Sequence, residues 1–383
     1  SIFCLKADFS DSSSTHNTGG VRIVNDIFRR CGWLTPPQAA YKGDYDVRVG
    51  VDGFPINLFY DNNGEGVAKF LGKYNFNNEK SESHQVYGFE GIEGFNDEAA
   101  LGGERNRCIC VEFLNNSAAL CLFGTADMTN FDDELEFRFK ADTKWADAHE
   151  DDKAAVIRLW SWIQSCKGNP SKFLREYTQY FANEAPFAWY ALTNYFMAVD
   201  NRAKNMMFAT WDGLIWYILP YDMDTLFGER NDSYLKFDYM IDFDTVDESQ
   251  GAYCFAGHDS VLWELVRGCP EKLAEVARSI RSVMSTEYVL DVFNNQFMGE
   301  WCERIYNKDG EYKYILPLIE EGRDYLYALQ GSRYAHRTYT IVNRFNLLDS
   351  EYCAGTYRDD AFPVYFSYNF AANPRNVKIT AAE

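Results

Sequence analysis

The stretch "MMFATWDGLIWYILP", residues 206–220, constrains this chain more than any other. It reads as two apolar strands around Asp212-Gly213, a strong two-residue turn signal, and it interrupts a region whose other segments carry helical spacing. "KAAVIRLWSWIQSC", "PSKFLREYTQYF" and "PFAWYALTNYFMAV" precede it. "DSVLWELVRG", "PEKLAEVARSIRSVMS", "TEYVLDVFNNQFMGEWCERIY" and a long stretch from about Ile315 to Leu348 follow it. Polar oxygen donors crowd both ends of the hairpin: Asp200 and Asn205 just before it, Asp222 and Asp224 just after.

The part up to about Phe139 has a different period. "FCLKADF" alternates, "YDVRVGVDGFPINLFYDNNGEG" reads as two strands around Asp52-Gly53 with a loop over 61–66, and "FLGKYNF", "CICVEFLNNSAALCLF" and "ELEFRFK" continue the pattern. Among these strands "TGGVRIVNDIFRRCG" places Val21, Val24, Ile27 and Phe28 on one helical face and ends at Gly32. The expected fold class is α+β. A β-rich lobe covers residues 1–140, a mainly helical lobe with the inserted hairpin covers 141–352, and 353–383 begins a further β module or linker. A cleft between two such lobes is where ligands usually bind.

The chain has 383 residues, 46% hydrophobic and 17% aromatic, so it can bury a large core. Its formal charge of −20 argues against broad binding to nucleic acid or anionic membrane and favours basic protein partners. No apolar run reaches the length of a membrane span. The ten cysteines show no zinc-type spacing and mostly have apolar neighbours, which is how free thiols sit in a protein folded in a reducing compartment. The opening "SIFCLKADF", already strand-like, and the closing "FPVYFSYNFAANPRNVKITAAE" lead us to expect a segment of a longer polypeptide.

Phosphoryl transfer asks a protein to hold a nucleotide and its metal, neutralise phosphate charge and place a carboxylate beside the acceptor hydroxyl. Protein kinases use a catalytic-loop Asp, an Asn five positions later, and a metal-binding Asp beyond a short hairpin. Asp200 to Asn205 has that spacing, and Asp222 or Asp224 follows the hairpin. Oxygen donors of this kind suit Mg²⁺, which keeps its waters and takes few protein ligands. The plainer alternative is that Asp200 caps a turn while Asp222 and Asp224 solvate a strand end. The positive half of such a site would come from the β lobe, with Lys6 the first candidate and Lys73 and Lys80 as alternatives. Arg202 and Lys204 could bear on phosphate or on an acidic acceptor.

These segments resemble the spore-coat kinase CotH family, atypical protein kinases with a bilobal kinase-like fold. "FCLKADFSDSSSTHNTGG" looks like the family's opening Lys/Asp/Ser/Asn motif, and "VRVGVDGFPINLFYDNNGEGVAKFLGKYNFN" like its paired strands. "DNRAKNMMFATWDGLIWYILPYDMDTLFG" is similar to its most diagnostic stretch, and "YAHRTYTIVNRFNLLDSEY" looks like its closing helices. The resemblance implies an enzyme that binds ATP with Mg²⁺ and phosphorylates Ser or Thr on protein, for this acidic chain a basic, Ser-rich one. By the same resemblance Asp200 is the catalytic or metal-organising carboxylate, Asn205 a metal ligand, Asp222 with Asp224 the metal-binding aspartates, and Lys6 a phosphate contact. This sequence departs from the pattern at His16, where the family often has Arg. It departs again at Asn77, where Glu is common (Glu79 lies two residues on), and at Tyr221, where Trp is frequent.

Two other functions compete. A catalytically inactive kinase-like module could serve as a structural or binding part of a larger phage tail or cell-surface assembly, with neighbouring virion or surface proteins as its partners. A glycosidase with paired carboxylates is the third, and Asp222 and Asp224 lie too close in sequence to divide acid and base roles.

Overall fold

The computed structural model describes residues 3–6, 15–40, 47–79, 87–89, 96–114, 135–139, 143–198, 200–202, 204–229, 238–242, 260–297 and 330–353. The described part is mixed α/β, with helices and two antiparallel sheets. The first sheet joins β1 (Phe3–Lys6), β2 (Gly53–Tyr60) and β3 (Lys69–Asn78) in the order β1-β3-β2. The second joins β4 (Ile109–Phe113), β5 (Leu135–Phe137), β6 (Thr143–Lys144), β7 (Met206–Thr210) and β8 (Trp216–Pro220) in the order β6-β5-β4-β7-β8.

Helix α1 (His16–Arg30) forms where the apolar stripe lies, and buries Val21, Val24, Ile27 and Phe28. Such side chains contribute on the order of 2 kcal/mol each when removed from water. A Schellman-type end stops the helix: the Trp33 and Gly32 amides donate to the Phe28 and Arg29 carbonyls, with Gly32 at φ +73°. α1 is tied to the first sheet by polar contacts. Asn77 Nδ2 on β3 donates to Thr18 Oγ1 at 2.9 Å, and Arg22 donates to Asp52 and to the Gly53 carbonyl. Asp52 also pairs with Arg48 at 2.6 Å. Residues 47–52, expected as a strand, are irregular instead, because Asp52 serves two arginines rather than a ladder.

The second sheet draws on both sides of position 140. β4 pairs with β7 from Ile109↔Thr210 to Glu112↔Met207, so the expected lobe boundary cuts through one hydrogen-bonded sheet. Every residue of β4 and of β7 is buried, as befits central strands covered on both faces. The hairpin connection is longer than the two-residue turn expected. Residues 211–215 form the loop, and Asp212 Oδ1 accepts from the Thr210 hydroxyl and the Leu214 and Ile215 amides.

The described α-helices after α1 are α2 (Pro36–Ala40), α3 (Glu150–Ser165), α4 (Pro170–Glu176), α5 (Ala185–Tyr195), α6 (Val261–Arg267), α7 (Pro270–Arg281), α8 (Thr286–Asp291) and α9 (Gln330–Tyr352). α2 belongs to the first part of the chain, beside α1. α5 is buried on all sides, the expected place for a helix that is apolar all round. α6, α7 and α9 pack around it. α8 runs on into a π-helical turn over Val292–Gln296. The expected start of the last helix near 315, and most of the expected module from 353 onward, lie outside the described residues. So do Lys80 and most of "CICVEFLNNSAALCLF" beyond β4. The seven described cysteines are all free. No helix among the described residues is long and apolar enough to cross a membrane.

Candidate active site

After Asp200 the chain turns back on itself, the Lys204 amide donating to the Asp200 carbonyl at 3.0 Å. A turn of this kind brings positions four and five residues apart back toward the first. Lys204 Nζ lies 3.5 Å from Asp200 Oδ2, and Asn205 Nδ2 donates to the same oxygen at 3.3 Å. Donation through Nδ2 leaves the Asn205 amide oxygen as an acceptor. Asn205 has φ +54°, a left-handed conformation that Asn tolerates better than most residues. Asp200 itself is only 2% exposed.

Below this turn the chain is anchored to the helical core. Trp189 Nε1 donates to the Asn201 carbonyl at 2.6 Å, and Trp263 Nε1 to the Arg202 carbonyl at 2.8 Å. Arg202 does not turn toward a ligand. It is buried, donates to Thr193 Oγ1 at 2.8 Å and lies 4.0 Å from the centre of the Tyr190 ring. Its expected bearing on phosphate is therefore corrected: burial, these two contacts and donation to the Tyr190 carbonyl at 3.3 Å fix it as a scaffold cation.

The second half of the site follows β8. Asp222 has φ +47°, and its Oδ1 accepts from Lys6 Nζ at 3.2 Å and from Asn17 Nδ2 at 3.0 Å. Asn17 Oδ1 in turn accepts from the Met223 amide at 3.1 Å, so one carboxamide grips this strained segment at both ends. Strained backbone of this sort persists only where its surroundings hold it, and it concentrates at functional sites. α1 approaches closely because Gly20 has no side chain. A Cβ there would stand 3.1 Å from Leu226 and 3.3 Å from Met223. Lys6 also lies 5.5 Å from the centre of the Tyr221 ring. Burial, then Glu112 and Asp222, hold the Tyr221 hydroxyl well above the usual phenol range.

Asn201 joins the halves. Its Nδ2 donates to the Asn205 carbonyl at 2.7 Å and to the Tyr221 carbonyl at 2.9 Å, the residue before Asp222. The sequence motif passes over this residue; its only signal is a second amide side chain directly after Asp200.

The structure thus brings Asp200 together with Asn205 and Lys204, and Lys6 together with Asp222. The bonds described here fall on Asp222, and Asp224 lies half-buried two residues along the same segment. Lys73 points to the same sheet face as Lys6, since Lys6 pairs with Asn75, but it is 2% exposed within β3. Lys6 is the sheet lysine that meets the post-hairpin aspartate. His16, standing where Arg was the expectation, sits 3.5 Å from the buried carboxylate of Glu229 and packs edge-on against Phe227 and Phe293.

Among the described residues no three of His, Cys, Asp and Glu gather as a metal-binding group. The donors on offer are carboxylate and carboxamide oxygens, which fit Mg²⁺ completed by water and phosphate oxygens rather than an all-protein cage. Comparison with family models and with curated proteins finds no match for this chain.

Proposed function

We propose that this chain is a CotH-like, bilobal kinase-type protein that transfers the γ-phosphoryl group of ATP to a Ser or Thr of a basic protein, with Mg²⁺. The observation that carries the reading is the contact of Lys6 with Asp222, residues 216 apart in sequence, at 3.2 Å. A lysine from the N-terminal sheet and a carboxylate beyond the hairpin are the two charges a nucleotide triphosphate and its metal require.

In this reading Asp222 and Asn205 would hold Mg²⁺, with Asp224 beside them, and the metal would supply charge neutralisation across the phosphates. Lys6 would exchange its contact with Asp222 for a phosphate oxygen. Asp200 would accept the proton of the acceptor hydroxyl, and Lys204, now 3.5 Å away, would offset charge on the transferred group. Asn17 and Asn201 would keep the two carboxylates at fixed separation, so the site need not reorganise as the reaction proceeds.

An inactive module of a phage or surface assembly is the competing reading. It is favoured by one observation: Asp200 and Asp222 each already have a lysine as counter-ion. Thermal unfolding with ATP and MgCl₂ separates the two. A ligand at a hundred times its Kd adds about 2.7 kcal/mol, a visible rise in Tm. Such a rise, abolished by Asp222→Ala, together with phosphate transfer to a basic Ser-rich protein abolished by Asp200→Ala, supports the kinase. No rise with any nucleotide and metal supports the module.

A further inference from the structure

The first sheet is turned inside out. Residues opposite one another in antiparallel strands share a face. On one face Lys6 pairs with Asn75 and Cys4 with Asn77, and this polar face meets α1 and Asp222. The opposite face carries Leu5, Phe76 and Phe54 in one cross-strand row, with Phe3 beside it and Tyr74 opposite Ile56. Ring centroids of Phe3 and Phe76 are 4.9 Å apart, and those of Phe54 and Phe76 are 5.6 Å apart. Phe3, Leu5 and Phe54 are 53%, 48% and 56% exposed. By strand alternation Tyr60 continues this row at the end of β2 and is also half-exposed. Phe59 apart, the other exposed large apolar residues described, among them Val67, Leu174 and Leu214, do not belong to these strands, and most remaining apolar side chains join the buried core. A contiguous apolar face of this kind marks an interaction surface.

We propose that this face pairs two copies of the chain, sheet against sheet. Charge selects a second copy as the occupant. The chain holds 57 acidic residues against 37 basic ones, so most surfaces set carboxylate against carboxylate when two copies meet. The strand sequences "FCLK", "GFPINLFY" and "KFLGKYNFNN" contain no Asp or Glu at all. Of their three lysines, Lys6 and Lys73 lie on the opposite face, and Lys69 stands at the far end of β3 beyond the bulge. A flat, acid-free apolar face can meet its own image without repulsion, and self-complementary two-fold contacts are the commonest oligomer interface. A large aromatic side chain buries about 150–250 Å². The half-exposed Phe3, Leu5, Phe54 and Tyr60, with the part-exposed Ile56, Leu58, Tyr74 and Phe76 on the same face, therefore offer roughly 500 Å² per copy, about 1,000 Å² in all, the lower bound of a specific interface. The proposal is independent of any activity at the Asp200–Asp222 site.

Sedimentation velocity and light scattering of the whole chain over a wide concentration range test it. The expected result is a dimer whose dissociation constant rises more than about tenfold in Phe54→Asp, since an aromatic anchor is lost from the interface. Leu214→Asp, at an exposed position on the hairpin loop, should leave it unchanged. If Phe54→Asp does not fold, Phe3→Asp at the end of the edge strand gives the same reading. A wild-type monomer at every concentration overturns the proposal, and so does a Phe54→Asp dimer as tight as wild type. A wild-type monomer whose Tm falls in Phe3→Asp would mean that the chain covers this face itself, which also overturns it.

Discussion

The side chain of Asn201 donates to the backbone carbonyl of Tyr221 at 2.9 Å, and this one bond links the turn before the hairpin to the segment after it. The same Nδ2 donates to the Asn205 carbonyl, while its Oδ1 is buried with no partner among the described residues. Asn201→Asp keeps the shape and removes both donated bonds, pointing a carboxylate oxygen at two carbonyls. Asn201→Ala removes the bonds and the unsatisfied oxygen together. The Ala variant should lose about 1–3 kcal/mol of stability, and the Asp variant more, measured by urea denaturation. Equal stability of Asp and wild type would contradict the clamp.

Lys6 and Asp222 separate stability from function. Their side chains are 34% and 32% exposed, so the pair is worth only about 0–1 kcal/mol to folding. Lys6→Met should therefore unfold within about a degree or two of wild type, yet lose the Tm rise that the proposed kinase function requires of ATP and MgCl₂. A variant that keeps the full nucleotide shift would remove Lys6 from the phosphate role, and one that unfolds much earlier would make the pair structural.

Much of this arrangement was legible in the sequence, and the gaps have physical reasons. The stripe Val21, Val24, Ile27, Phe28 and the terminating Gly32 specify α1, because local periodicity and a left-handed C-terminus are local information. The five-residue spacing of Asp200 and Asn205 was enough to expect their contact. The partition at 140 was not legible: which strands share a sheet depends on the non-local pairing of β4 with β7, which a change of period cannot reveal. Arg202 misled for a related reason. A cation beside a candidate catalytic Asp reads as functional until Thr193 and Tyr190 are seen to enclose it. Lys6 and Lys73 share a sheet face but differ in depth, Lys73 on the central strand β3 and Lys6 on the edge strand β1, an order that only strand pairing fixes.

Asp349 on α9 makes the helical half depend on a buried charge. It accepts from Arg281 Nε at 2.9 Å and Nη2 at 2.9 Å, and from the Tyr195 hydroxyl at 2.9 Å. Arg281 is fully buried. Asp349→Ala strands that guanidinium, and breaking a buried pair from one side costs about 3–5 kcal/mol. The double variant Arg281→Met with Asp349→Leu should recover most of the loss, because no unpaired charge remains. A double variant as unstable as Asp349→Ala would show that the hydrogen bonds, not the stranded charge, set the cost.

Alkaline pH should expose the buried tyrosines in a defined order. Burial, followed by Asp212, pushes the Tyr217 hydroxyl from 10.0 up to about 12. Tyr87 and Tyr195 are held well above the usual range, in both cases first by burial. A pKa raised in the folded state contributes stability that is complete below the unfolded value and is lost as pH rises through the folded one. The window for Tyr217 thus opens near pH 10 and closes near pH 12. An early, reversible phase of phenolate formation should leave circular dichroism unchanged. The buried set should ionise later, in step with unfolding. Replacing Tyr217 by Phe should leave the rest of the chain intact and shift the onset of alkaline unfolding upward, because the folded state no longer resists ionisation there. A single smooth phenolate titration that finishes before any loss of circular dichroism would show that these hydroxyls are open to solvent.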